Sequence, residues 1–141
     1  MSIEWGVYPQ ESDMSMFVHD NTSAPSTVLD ANLPFNVHVT WAVPATEAAI
    51  IGGNFRIRVF AESIGPGPEK QIGGTLTVPA VPGQLNYDVH VLVGANELLG
   101  EGAGAPPVSG MYKLGSVLQH MNPGPNEVSG YCDGKIFLRT P

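Results

Sequence analysis

The stretch Phe35-Asn36-Val37-His38-Val39-Thr40-Trp41-Ala42-Val43 decides the fold, because apolar and polar residues alternate along almost all of it. Successive side chains of an extended strand point to opposite faces, so Phe35, Val37, Val39, Trp41 and Val43 share one face, and Asn36, His38 and Thr40 take the other. A helical period would scatter the same residues around a cylinder, so the stretch reads as a half-buried strand. The pattern recurs outward along the chain. Residues 55–62 place Phe55, Ile57, Val59 and Ala61 inward, and residues 87–93 do so with Tyr87, Val89, Val91 and Val93. In 111–118 the inward set is Tyr112, Leu114 and Leu118, and in 135–140 it is Ile136 and Leu138. Weaker strands are expected at 3–8, 14–18, 26–29 and 74–78.

Between these runs lie Gly52-Gly53, Gly65-Pro66-Gly67-Pro68, Pro82-Gly83, the segment 94–107 and Asn122-Pro123-Gly124-Pro125. Glycine and proline supply the dihedrals that turns require. The 141 residues include 17 glycines and 13 prolines, which leaves no room for long helices. One short helical turn is expected near 45–51, stopped by Gly52. Roughly eight short strands, about seven to nine, each with one polar face, predict an all-β protein. Its form would be a two-sheet antiparallel β-sandwich, as a single domain over residues 1–141.

Composition narrows the function classes. Apolar residues make up 43% and charged residues 13%, against the usual charged share of about 25%, so the chain has a core to bury and is not a disordered tail. The net charge is −7, and all six basic residues follow position 55, so neither nucleic acid nor membrane insertion is expected. Without a basic-then-apolar leader, a cytoplasmic location is expected. The single Cys132 excludes an internal disulfide.

The segment Gly110-Met111-Tyr112-Lys113-Leu114 resembles the entry to the sixth strand of immunoglobulin-like domains, where a tyrosine hydroxyl closes the corner between two strands. Together with strand count and length, the likeness is to bacterial stand-alone immunoglobulin-like sandwiches. The chain departs from them in lacking a cysteine pair and in carrying Trp41 on what would be the second strand of that fold rather than the third. The resemblance implies a strand order but no activity, since such folds host many.

That order brings residues of separate strands together. It makes the strands of His38 and of Asp88 and His90 neighbours, which would gather two imidazoles and a carboxylate. This trio is the one basis for a metal site and for a remote reading as a metal-dependent enzyme, with two solvated sheet histidines as the alternative. No local ligand spacing supports the metal, and no cofactor is expected. Cys132 sits beside Asp133, which disfavours a thiolate, and reads as a small packed group. The glycine-rich 94–104 lacks the lysine of a phosphate loop and carries Glu97 and Glu101.

The same order makes 55–62, 111–118 and 135–140 neighbours in one sheet. Their outward positions include Arg56, Arg58, Phe60, Lys113, Val117, Lys135, Phe137 and Arg139, a basic and aromatic outer face. Arginine among exposed rings is the composition of an interface centre. The expectation is therefore a non-enzymatic protein-binding or self-assembling structural module. It would contact its partner, another protein or a further copy of itself in a homo-oligomer or larger assembly, through Arg56, Arg58, Phe60, Lys113, Val117, Phe137 and Arg139. The alternative is a carbohydrate- or other ligand-binding module that stacks its ligand on Trp5, Tyr8 or Tyr131.

Overall fold

A computed structural model describes residues 2–5 and 10–141. Nine strands and one helical turn follow in chain order among them: β1 (Ser2–Trp5), β2 (Gln10–His19), β3 (Val28–Asp30), β4 (Phe35–Ala42), α1 (Ala45–Ala48), β5 (Asn54–Ser63), β6 (Glu69–Pro79), β7 (Asn86–Val93), β8 (Met111–Met121) and β9 (Pro125–Arg139). The fold is all-β, as the alternation predicts.

The strands form two sheets. Backbone pairing runs β6-β5-β8-β9-β1-β2-β4-β7, with β3 added beside β9. Strand β2 belongs to both sheets. Its residues up to Asp13 pair with β1, and from Met14 onward the pairing passes to β4. The first sheet therefore holds β6, β5, β8, β9, β1, β3 and the start of β2, and the second holds the rest of β2 with β4 and β7. A strand that changes sheet is one way to turn a corner between two packed layers. One pair departs from the expected antiparallel pattern: β3 runs parallel to β9, with Val28 opposite Phe137 and Asp30 opposite Arg139.

The alternating positions meet between the layers. Phe35, Val37, Val39 and Trp41 of β4 are buried against Phe55, Ile57 and Val59 of β5, with Leu114, Leu118, Ile136 and Leu138 from β8 and β9. Aromatic rings hold the centre. Trp41 stacks on Tyr87 at 5.4 Å with the planes 4° apart, and Phe55 meets Tyr87 edge-on at 5.0 Å. Offset and edge-on pairs of this kind add to the burial of their area. At the entry to β8, the Tyr112 hydroxyl donates to the Leu99 carbonyl at 2.6 Å and so ties the strand to the loop before it.

Candidate functional site

Strands β5, β8 and β9 are direct neighbours, and their registers fix which outward side chains share a row. Arg56 stands opposite Gln119, which stands opposite Ser129. In the next row come Arg58, Val117 and Tyr131, followed by Phe60, Gly115 and Asp133, and then Glu62, Lys113 and Lys135. Strand β6 extends the first two rows with Thr77 beside Arg56 and Thr75 beside Arg58. Five of the seven expected contact residues (Arg56, Arg58, Phe60, Lys113 and Val117) thus form one continuous area.

The other two continue past the Lys113–Lys135 row, at the end of the area farthest from the arginines. Phe137 is opposite Met111, beyond the end of β5, and six residues of strand separate it from Tyr131, or about 20 Å. It is flanked by Val28 of β3. Arg139 is further still, and its Nη2 lies 2.8 Å from Asp30 Oδ1. Parity along β9 places both on the correct face. The added parallel strand β3, which alternation cannot reveal, gives them their own neighbours.

Local chemistry divides the area into two halves. Lys113 Nζ has a carboxylate, Asp133 Oδ2, at 3.7 Å, and Glu62 and Glu69 lie close by. The two arginines differ. Arg58 Nη2 donates to Gln119 Oε1 at 3.2 Å, Arg56 Nη2 donates to the same oxygen, and among the described residues neither has a carboxylate within ion-pair distance. Arg58 also lies over Phe60, with its guanidinium carbon 5.6 Å from the ring centroid. Both arginines are half-buried, their stems covering the sheet surface.

Between the halves runs a groove of about 270 Å³, lined by Phe60, Glu62, Glu69, Lys113, Gly115, Val117 and Tyr131. Gly115 makes the floor: a Cβ there would stand 2.8 Å from Cε2 of Tyr131, so the tyrosine ring lies over it only because the position is glycine. Tyr131, expected only as a stacking residue of the carbohydrate-binding alternative, belongs to this face. Extending the outward parity of Lys135 and Phe137 backwards along β9 would have found it. Tyr8 lies outside the described residues, as does the side chain of Trp5.

The second sheet brings the histidines together. His38 and His90 are cross-strand partners, and their rings stack at 4.1 Å with planes 10° apart. Imidazole lone pairs lie in the ring plane, so stacked rings send them along parallel directions and do not converge on one ion. His38 Nε2 is 3.8 Å from Asp88 Oδ2, and His90 Nδ1 pairs with Asn36 Oδ1 at 3.0 Å. Among the described residues no group of three such side chains is arranged to hold a metal ion. His19 joins the pair edge-on, 5.7 Å from the His38 ring. Burial, with the neighbouring His90, pushes the pKa of His38 down, against an opposing pull from Asp88.

Cys132 is buried, and burial raises the pKa of its thiol. In the glycine-rich loop, Glu97 accepts the Gly73 backbone N–H at 2.7 Å. Its carboxylate occupies a backbone donor and serves to pin the loop to β6. No helix among the described residues is long and apolar enough to cross a membrane.

No family model matches this chain, and no curated protein is similar to it in sequence. Among solved structures, it is similar in fold to a β-glucosidase from Listeria innocua in complex with glucose, with 11% identity and a TM-score of 0.52 over 94% of this chain. A mutant of the same enzyme in complex with laminaribiose gives 11% identity and a TM-score of 0.53 over 95% of this chain. In both cases the chain spans 17% of the enzyme's length.

Proposed function

We propose that this chain is a non-enzymatic binding module that docks a protein, another kind or a further copy of itself, on the outer face of β5, β8 and β9. The finer reading of the fold as an immunoglobulin-like sandwich belongs to the same proposal, and the bond from Tyr112 to Leu99 supports it. One observation carries the function: Arg56 and Arg58 share the Gln119 oxygen, Arg58 lies over Phe60 and opposite Val117, and neither has a carboxylate among the described residues. Adjacent guanidiniums that have no carboxylate among the described residues repel each other, a cost that an acidic group of a partner would relieve. Arginine beside half-buried rings is the usual make-up of an interface centre. Lys113 and Val117 extend the contact area, while Phe137 and Arg139 form an outlying part.

A second reading, a carbohydrate-binding module, draws on the ring of Tyr131 lying over Gly115 beside Phe60, an aromatic surface on which a sugar could stack. The similar solved structures belong to an enzyme in complex with glucose and with laminaribiose, which makes these sugars the first ligands to try.

A photo-crosslinking residue separates the readings. Placed at position 117 in cells that make the protein, it should give discrete protein adducts, whereas the same group at position 92, exposed on the second sheet, should give none. Absence of adducts at 117, or equal yields at both positions, would reject the docking face. Binding of glucose or laminaribiose, lost with Tyr131→Ala, would favour the second reading.

A further inference from the structure

The half of the face around the two arginines joins two cations to neutral side chains. Its two rows contain Thr77, Arg56, Gln119 and Ser129, then Thr75, Arg58, Val117 and Tyr131, and none of these is acidic. Elsewhere the cations Lys113 and Arg139 each have their own carboxylate. The two guanidiniums instead share a single neutral oxygen, that of Gln119. A fork of parallel N–H donors matches a carboxylate and pairs with it more strongly than with an amide. One row further along the sheet lies the groove lined by Phe60, Val117 and Tyr131, with Lys113, Glu62 and Glu69 along its far side and the Tyr131 ring lying over Gly115. Adjacent rows are separated by two residues of strand, about 6.6 Å. That is also the spacing of same-side residues in any extended chain laid along the sheet.

We propose that Arg56 and Arg58 seat a carboxylate from an extended acidic segment of a protein partner. An apolar side chain two positions along that segment enters the groove between Phe60 and Tyr131. The inference rests on the docking reading and adds the recognition rule: acidic, any residue, apolar.

Short synthetic peptides test the rule. In the first, glutamate and leucine are separated by one serine; in the second, glutamine replaces the glutamate; in the third, glutamate and leucine are adjacent and so point to opposite sides of an extended chain. Calorimetry should rank the first above the other two by about tenfold or more in affinity. The Arg56→Gln/Arg58→Gln variant should lose that preference while keeping the circular-dichroism spectrum of the unaltered protein, since glutamine retains part of the stem that covers the sheet. Nitrogen-detected NMR should show the arginine side-chain signals moving with the first peptide. Equal affinities for the three peptides, or an undiminished preference in the double variant, would overturn the carboxylate seat. Sodium sulfate at matched ionic strength is the remaining arm: movement of the arginine signals by sulfate without binding of the first peptide would also overturn it. Should adducts form at position 117 while the peptides fail to discriminate, only the recognition rule falls. Missing adducts would remove the docking face itself.

Discussion

Burial acts in opposite directions on Cys132 and His38, because it always disfavours the charged form: the thiol is pushed up and the imidazole down. For His38 the sign of the linkage follows. Its folded-state value lies below the ordinary value of about 6.5, so between the two the unfolded chain binds the additional proton. His38 therefore contributes stability above about pH 6.5, and that contribution is lost as the pH falls through its folded value. Denaturant melts at stepped pH should show the midpoint falling on the acid side of pH 6.5, and the fall should be smaller in His38→Gln. A midpoint that is flat in both proteins would contradict this. At this scale the sequence was informative about direction: parity placed His38, Arg56, Arg58 and Lys113 on the outer faces they occupy. It carried no information on ring geometry, so the stacking of His38 on His90, which parallel-aligns their lone pairs, came only from the structure.

Elements with strict alternation were the readable ones. Strands β4, β5 and β7 lie close to their expected bounds, since Val, Ile and Phe at every second position fit only a half-buried strand. Strand β9 starts ten residues earlier than expected, at Pro125 rather than 135. The part before Lys135 contains Gly130 and Gly134, which offer no apolar period, and it is held in place by pairing to β8. Strand β6 was foreseen only from 74, because Gly73-Gly74 resembles a turn. In fact the pair sits at an irregularity, where the register against β5 shifts between Arg58 and Val59. Gly73 adopts φ +71°, and a Cβ there would stand 2.4 Å from Cγ1 of Val91. Both the positive φ and the close approach require glycine. Gly73→Ala should lower the unfolding free energy by about 2–4 kcal/mol, the sum of backbone strain and overpacking. Gly74→Ala, with open space at its Cβ, should cost less despite its own positive φ. Urea titration of the two variants makes the comparison.

For the molecule as a whole, the core was legible and the connection between the layers was not. Trp41, Tyr87 and Phe55 were all placed inward by alternation and do form the aromatic centre. The passage of β2 from one sheet to the other, and the insertion of β1 between β9 and β2, depend on long-range pairing that leaves no local periodicity. One unbroken hydrogen-bonded path with one shared core predicts a single cooperative unfolding step. Far-ultraviolet circular dichroism and tryptophan fluorescence should give superimposable denaturation curves. Separated midpoints would show that the two layers melt independently.

The position of β1 has a further consequence, for the order of events on the ribosome. Its residues Ile3 and Glu4 are flanked by Gly130 and Ser129 on one side and by Ser12 and Glu11 on the other. Strand β1, made before β9, thus obtains its second flank only once Ser129 and Gly130 have been translated. Until then it is an open template, to which any extended polypeptide nearby can add itself.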